Sequence, residues 1–225
     1  MEQGFVKVAS ATPRIRVADP VYNAQVICEQ AKEAAEHGAK IVVFPELCIT
    51  GYTCNDLFLQ ELLLEKAKEA LLTIAEETGQ LETLFLVGLP VDKDGRLYNV
   101  AAVLYRGRIL GMIPKKNIPM YAEFYEGRHF TPGEETVTEY RLGKQVIPFG
   151  SNLLFRCEEL PELILGCELC EDLWVAEPPS TSHALMGATV IANLSASNET
   201  VSKDDYRTLL IKASSARLLC GYIYT

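Results

Sequence analysis

Apolar residues recur along the chain at two spacings, and the two kinds of segment alternate. Continuous apolar runs at 5–9, 41–44 and 85–89 have the length and β-branched content of strands buried on both faces. The segments between them carry an apolar residue every three or four positions, which is typical of helices that cover a sheet. The alternation predicts the α/β fold class.

The first helical segment has clear signals at both ends. Asp19 precedes Pro20, which is the usual order of an N-cap and a first helical residue. Ala24 and Ile27 begin an apolar stripe on this segment. Gly38 follows the segment, and a glycine there favours the left-handed conformation that ends a helix. We therefore predict a helix that ends at about residue 37.

The remaining chain is expected to add a hairpin, a long loop and a second set of strands. Residues 98–105 and 109–113 are apolar runs joined by a short turn, which predicts the hairpin. The polar and aromatic segment 114–150 is expected to be a functional loop, since long loops in compact domains usually are. The other expected elements are a helical region from Asn55, as its cap, to about Gly79, strands at 153–156, 163–168, 189–194 and 222–224, and helices at 181–187 and 204–220.

Composition narrows the class of protein. With 225 residues, 48% of them hydrophobic, the chain can bury one large core, so we expect a single domain over residues 1–225. Because the chain stops within the apolar run 222–224, we also expect a fragment of a longer protein, truncated at its C-terminal end. The net charge of −9 argues against nucleic acid or an anionic membrane as a partner.

The chain carries neither a membrane signal nor a secretion signal. Its apolar runs are shorter than the roughly 18 residues that cross a bilayer, and its first residues lack the features of a signal peptide. Seven scattered cysteines, an odd number, are more typical of free thiols than of a disulfide framework. We expect a cytoplasmic protein.

Three reactive side chains stand just beyond predicted strands. Glu46 follows the run 41–44, Lys115 follows the run 109–113, and Cys170 follows the run 163–168. Ligands of α/β proteins bind beyond strand ends, where side chains from separate segments meet. A carboxylate that accepts the thiol proton and an ammonium that stabilises an oxyanion would allow the thiol to attack an amide carbon. This chemistry needs neither a metal nor an organic cofactor.

Other interpretations of these residues stay open at this point. Cys170 is also compatible with an inert buried thiol, and Cys167 with Cys170 forms a Cys-x-x-Cys pair of the kind found in redox or zinc sites. If the strand continues through Glu168, Cys167 is more simply a core residue. Lys116 competes with Lys115, and the local sequence alone does not choose between them.

Three segments in order resemble the Glu–Lys–Cys signature of the nitrilase, or carbon–nitrogen hydrolase, superfamily. They are residues 44–47 with 50–52 around the glutamate, 114–115 with 118–119 around the lysine, and 166–174 around the cysteine. Residues 121–128, 170–174 and 193–197 are also similar to the glutamine-amidotransferase domain of glutamine-dependent NAD⁺ synthetases. The resemblance covers essentially the whole chain and implies a four-layer αββα sandwich of the nitrilase type.

The resemblance also implies roles for single residues. Cys170 is the implied nucleophile, Glu46 the general base and Lys115 the oxyanion stabiliser, helped by the backbone N–H after Cys170. Glu126 is implied to be a fourth member of this catalytic set, a second glutamate that positions Lys115 or the substrate. The positions implied to contact glutamine are Tyr52, Tyr121, Trp174, Ser197 and Lys203, the last of which is a departure, since an arginine can occupy that position.

The leading hypothesis is a glutaminase that releases ammonia through a glutamyl thioester on Cys170. The resemblance implies that the ammonia serves an ATP-dependent synthetase domain, whose phosphate-binding loop is not found in this chain. ATP and Mg²⁺ are expected only there, and a homo-oligomer is expected. The alternatives are a free-standing amidase that acts on another small amide, and a catalytically silent assembly fragment.

Overall fold

Two β-sheets packed face to face form the centre of the molecule, for which a computed structural model describes residues 4–225. The first sheet has seven strands in the order β1-β2-β3-β4-β5-β7-β6, and the second has four in the order β11-β10-β9-β8. The strands are β1 (Val8–Ser10), β2 (Ile41–Val43), β3 (Leu84–Lys93), β4 (Arg96–Tyr105), β5 (Arg108–Pro114), β6 (Thr138–Leu142), β7 (Gln145–Phe149), β8 (Leu154–Arg156), β9 (Ile164–Leu169), β10 (Val190–Leu194) and β11 (Gly221–Tyr224).

Helices cover the outer face of each sheet. They are α1 (Pro20–Glu36), α2 (Glu61–Glu77), α3 (Pro179–Leu185) and α4 (Lys203–Leu218), and short 3₁₀ helices occupy Tyr52–Leu59, Glu126–Arg128 and Cys170–Leu173. Helices α1 and α2 pack on the seven-stranded sheet, while α3 and α4 contact strands of the four-stranded sheet. The predicted four-layer αββα sandwich is confirmed. None of the helices within residues 4–225 has the length and apolar content that a bilayer crossing requires.

Alternate residues of each strand enter two different cores. In β2, Val42 faces the helices α1 and α2, whereas Ile41 and Val43 face the second sheet. In β9, Leu165 and Cys167 lie in the same inter-sheet core. Burial on both faces explains why these strands appear in the sequence as continuous apolar runs. Cys167 is therefore a core residue, as expected if the strand continues through residue 168.

The sequence signals for α1 and for the turn between β4 and β5 are confirmed. The Asp19 carboxylate accepts the backbone N–H of Tyr22 at 3.1 Å, and Gly38 has a φ of +83°. Strands β4 and β5 form the expected antiparallel hairpin, whose turn at Arg106 and Gly107 has positive φ angles of 46° and 76°. Such two-residue turns match the twist of the strands they join.

Three expectations about the early and middle chain are wrong in detail. The first strand is Val8–Ser10 rather than 5–9, and Phe5 lies outside it with 79% of its surface exposed. Asn55 does not cap a long helix, because it lies in a kink of the 3₁₀ segment with a φ of 49°, and α2 begins after Gln60. The segment 114–150 is not one loop, since its second half forms the antiparallel pair β6 and β7.

Candidate active site

Glu46, Lys115 and Glu126 meet in a buried ionic cluster. The Lys115 ammonium lies 2.7 Å from Glu46 Oε1 and 2.6 Å from Glu126 Oε1, and its side chain is fully buried. Lys116, the alternative lysine, points outward and pairs with Glu135 at the surface. The structure thus distinguishes the two adjacent lysines, which the local sequence could not.

A close backbone approach places Glu46. The chain leaves β2 at Pro45 and turns over β3, where a Cβ atom on Gly88 would lie 2.3 Å from the backbone nitrogen of Leu47. Real Cβ atoms essentially never come that near, so the glycine is what allows the turn to pack against β3. Leu47 itself has a φ of 52°. The turn directs Glu46 into the cluster.

Asn99 bridges the two glutamates, and Tyr52 holds one of them. Asn99 Nδ2 donates to Glu46 Oε1 at 2.8 Å and lies 3.4 Å from Glu126 Oε2. The Tyr52 hydroxyl donates to Glu126 Oε1 at 2.7 Å. Asn99 was missed from the sequence, although a single buried amide within the apolar strand β4 is the kind of signal that could have identified it.

The charges of the cluster oppose the effect of burial on the pKa values of Lys115 and Glu126. Burial alone would lower the pKa of Lys115, but the negative charge of Glu46, with contributions from Cys170 and Glu126, raises it above its ordinary value. Burial and the charge of Glu46 raise the pKa of Glu126, while Lys115 opposes that rise. An ammonium held between two carboxylates therefore stays charged and fixed in position.

Cys170 stands at the first residue of the 3₁₀ helix that follows β9, in a left-handed conformation with a φ of 40°. Its backbone N–H donates to Asn193 Oδ1 at 3.2 Å. Burial, followed by the charge of Glu46, raises the pKa of the thiol to about 12, and Lys115 and the backbone N–H of Ala196 oppose that rise. The resting thiol is therefore protonated at neutral pH and needs a base.

Ala196 links this thiol to the candidate base. Its N–H donates to Glu46 Oε2 at 3.0 Å and also favours the thiolate form of Cys170. Sequence reasoning missed this contact because it is made by a backbone group. The site thus combines a neutral nucleophile, a carboxylate and an ammonium without water-exposed charges, which suits attack on an uncharged carbonyl group.

Tyr52 and Tyr121, two of the residues predicted to contact substrate, lead from the buried cluster to the surface, a region that we call the opening of the site. Tyr52 is half-buried and hydrogen-bonded to Glu126, while Tyr121 is 53% exposed. The Tyr52 and Tyr121 rings meet the Phe124 ring edge to face, with centroids 6.5 and 5.6 Å apart. The Lys203 ammonium lies 5.5 Å from the Phe124 ring and 5.0 Å from the Trp174 ring. An aromatic wall with a cation at its rim is therefore present, and four of the five predicted contact residues contribute to it.

Ser197 and Glu171 complete the opening in different ways. Ser197 is half-buried, and its hydroxyl contacts the carbonyl of Asn198 at 3.5 Å rather than the aromatic wall. The side chain of Asn198 in turn accepts from Lys203. Glu171 was missed from the sequence as a candidate contact. Its carboxylate accepts the Tyr121 hydroxyl at 2.8 Å, so an anion and a cation both lie at the opening.

The arrangement of histidine, cysteine and acidic side chains within residues 4–225 bears on the metal and redox alternatives. No group of three or more histidine, cysteine or acidic side chains in that range is arranged to hold a metal ion. Cys167 and Cys170 are both free thiols, and Cys167 lies in the inter-sheet core. The Cys-x-x-Cys spacing therefore reflects one core residue and one residue of the site.

Comparison with known proteins identifies the family. The profile of the carbon-nitrogen hydrolase family matches residues 7–221. The chain belongs to this family. Among curated members, it is similar to the glutamine-dependent NAD(+) synthetase of Mycobacterium tuberculosis, with 41% identity over 223 residues, covering 99% of this chain and 33% of that protein. It is 35% identical over 203 residues to the enzyme of the same name from Thermotoga maritima, covering 89% of this chain and 32% of that protein.

Two solved structures share the fold of this chain. A glutamine-dependent NAD(+) synthetase from Cytophaga hutchinsonii superposes with a TM-score of 0.87 at 30% identity, covering 97% of this chain and 35% of that one. An amidase from Nesterenkonia sp. superposes with a TM-score of 0.73 at 21% identity, which shows a shared fold. It covers 97% of this chain and 75% of that one. The chain spans about a third of the length of the curated synthetases it matches.

Proposed function

We propose that this carbon–nitrogen hydrolase is a glutamine amidohydrolase with Cys170 as its nucleophile. The observation that carries the proposal is the buried Lys115 ammonium, which lies 2.7 Å from Glu46 and 2.6 Å from Glu126 and whose charge favours the thiolate form of Cys170. Burying three charges in one cluster is costly unless they are paired, so such a cluster supports a functional rather than a structural role.

The proposed reaction proceeds in two halves. Glu46 accepts the thiol proton as Sγ bonds to the amide carbon, and Lys115 with the backbone N–H of Glu171 stabilises the oxyanion. The intermediate then collapses, Glu46 returns the proton to the departing nitrogen, and ammonia leaves an acyl thioester on Cys170. In the second half Glu46 deprotonates a water that attacks the thioester, which releases the acid and regenerates the thiol.

The opening of the site supports a free amino acid amide as substrate. Lys203 is a cation that suits an α-carboxylate, and Glu171 is an anion that suits an α-ammonium group. The aromatic wall between them suits an aliphatic side chain. Glutamine has these groups, and the relatives at 41% identity carry glutamine dependence in their names.

We also propose the wider setting that the relatives suggest. Ammonia would be consumed by a synthetase domain that uses ATP and Mg²⁺, and the protein would act as a homo-oligomer. Seven free cysteines support a cytoplasmic location. Neither the ATP nor the Mg²⁺ takes part in the amide hydrolysis itself.

Trapping of the thioester tests the proposal. Protein mixed with glutamine and quenched in acid is expected to carry one glutamyl group, mapped by peptide mass spectrometry to Cys170. Cys170→Ala should abolish both the adduct and ammonia release, whereas Cys157→Ala, a change at a half-exposed thiol away from the site, should leave both intact. Ammonia release by folded Cys170→Ala would overturn the assignment.

A panel of amides separates the alternatives. Release of ammonia from another small amide but not from glutamine would indicate a free-standing amidase. Failure of every amide, with no adduct on Cys170, would indicate the catalytically silent fragment.

A further inference from the structure

A buried carboxylate lies behind the nucleophile and takes no part in the proposed chemistry. Asp172 is 1% exposed, and its two oxygens accept hydrogen bonds from two different segments. Oδ2 accepts the backbone N–H of Leu169 at 3.0 Å, and Oδ1 accepts both the backbone N–H and the side-chain amide of Asn117 at 2.8 Å. The backbone N–H of Lys116 lies 3.4 Å from Oδ2.

These contacts join the two segments that carry the chemistry. Leu169 immediately precedes Cys170, and Asn117 lies two residues after Lys115. Asp172 is therefore a direct bridge between the turn of the nucleophile and the loop that follows the lysine. The segments are otherwise far apart in the sequence, so the bridge sets how they approach each other.

The nucleophile turn needs such support because it is strained. Cys170 has a φ of 40°, a conformation that side-chain-bearing residues adopt at a cost and keep only when their surroundings enforce it. Asn193 holds the nitrogen of Cys170 from one side at 3.2 Å, and Asp172 holds the preceding nitrogen from the other. Lys115 has its own backbone anchors, at Asn99 and Gly133, so the segment that depends on Asp172 is the cysteine turn.

The donors around Asp172 are neutral amides, and its neighbours make ionisation costly. Burial, followed by the charge of Glu168 on β9, raises the pKa of Asp172 to about 6. Cys167, also on β9, interacts with the same carboxylate. Because its hydrogen-bond partners are all N–H donors, the ionised carboxylate suits every one of them, whereas the acid form would bury an O–H with no acceptor among them. A buried charge kept at such a cost is best explained by positioning.

We propose that Asp172 is a positioning residue that fixes the Cys170 turn against the Lys115 loop. This inference rests on the proposed function for its kinetic readout. The acid form of Asp172 would present a proton toward N–H donors and loosen the bridge, so the rate of the acyl transfer step should fall as the pH drops through about 6.

Three variants and one control test this role. Asn117→Ala removes only the side-chain donor, Asn117→Asp opposes two negative charges, and Asp172→Asn replaces one acceptor oxygen by a donor. Lys116→Ala is the control, since its side chain pairs with Glu135 at the surface and its backbone N–H is retained. A misplacement of about 1 Å can cost about 100-fold in rate. We expect kcat to fall about tenfold in Asn117→Ala and about 100-fold in the other two, with KM within about threefold.

A second readout does not depend on the substrate. The rate of Cys170 alkylation by 2-chloroacetamide, followed by peptide mass spectrometry, should fall in the same order as kcat. If the natural protein does not hydrolyse glutamine, the proposed function fails while the alkylation series still tests Asp172. The double variant Asp172→Asn with Asn117→Asp reverses donor and acceptor, and it should recover part of both rates.

Two results would overturn the positioning role. One is that Cys170 is alkylated in Asn117→Ala and in Asn117→Asp at the same rate as in Lys116→Ala. The other is a wild-type pH profile without an inflection near 6, or with one that persists in Asp172→Asn. Since Asn117 is only half-buried, its variants should fold even if Asp172→Asn does not.

Discussion

The backbone N–H of Ala196 donates to Glu46 Oε2 at 3.0 Å, although 150 residues separate the two in the sequence. Glu46 follows β2 of the seven-stranded sheet, and Ala196 follows β10 of the four-stranded sheet. The contact therefore joins the two sheets at the site. It also orients the second oxygen of a carboxylate whose first oxygen is held by Lys115 and Asn99.

The Lys115–Glu126 pair gives the first prediction. Glu126→Gln keeps the shape of the side chain but removes one of the two charges that hold Lys115, so the ammonium should shift toward Glu46 and weaken it as a base. We expect kcat to fall about 100-fold or more. Tyr52→Phe, which removes one hydrogen bond to the Glu126 carboxylate but keeps its charge, should cost about 1.5 kcal/mol, or about 13-fold.

Steady-state ammonia release measures both effects. Glu135→Gln, a change to an exposed carboxylate paired with Lys116, serves as the control and should leave kcat unchanged. Equal rates for Glu126→Gln and the control would contradict a catalytic role for Glu126.

The second prediction concerns the reactivity of Cys170. A nucleophilic cysteine that is activated by a lowered pKa reacts with alkylating agents faster than ordinary cysteines do. The resting protein lacks this activation, because burial and the charge of Glu46 raise the pKa of the Cys170 thiol to about 12, the value to which burial also raises the pKa of Cys48. The labelling rate with iodoacetamide should be slow at pH 7 and continue to rise above pH 9.

Labelling rates between pH 6 and 10 check this prediction, with free cysteine as the reference. The rate for free cysteine should level off above its pKa of about 8.5. A plateau for Cys170 near the same pH would show that the thiol is not desolvated.

Gly88 provides a prediction about the turn that places Glu46. A methyl group there would lie 2.3 Å from the backbone of Leu47, so Gly88→Ala must displace the turn or β3. We expect a loss of about 3 kcal/mol in the free energy of unfolding and the loss of turnover. Gly221→Ala is the matched control, since its Cβ would meet its nearest neighbour at 3.7 Å, and it should change stability by less than about 0.5 kcal/mol.

Denaturant titration measures both glycine variants. If Gly88→Ala has the same free energy of unfolding as the natural protein, the close approach of β3 to the Leu47 turn is contradicted.

The sequence predicted the parts of the site that are carried by side chains next to buried strands. Glu46 and Cys170 could be found because each follows a run that is apolar on both faces of a sheet, whereas Lys115 was separated from Lys116 only by the family resemblance. The close packing of Gly88 against the Leu47 turn and the hydrogen bond from the Ala196 N–H could not be found, because backbone groups have no sequence signal of their own. The hairpin of β6 and β7 was missed because its strands are exposed on one face and resemble a polar loop.

Glu168 gives the last prediction, which concerns stability and pH. It lies on β9 facing α3, accepts the backbone N–H of Ser180 at 2.8 Å and accepts the Tyr222 hydroxyl. Burial raises its pKa above the ordinary value despite these donors. At a pH between its unfolded and folded pKa values, Glu168 is therefore protonated in the folded state and ionised in the unfolded state.

The sign of the effect follows from that proton. The contribution of Glu168 to stability is fully present below its unfolded pKa of about 4.3 and is lost as the pH rises through its folded pKa, by about 1.4 kcal/mol for each pKa unit of the shift. Glu168→Gln removes this dependence. The stability of the natural protein relative to Glu168→Gln should therefore decline as the pH rises above about 4.3. Relative to Glu158→Gln, a change at an exposed site, it should stay constant. Urea unfolding at a series of pH values measures the difference, and a relative stability that rises with pH would contradict burial as the dominant cause.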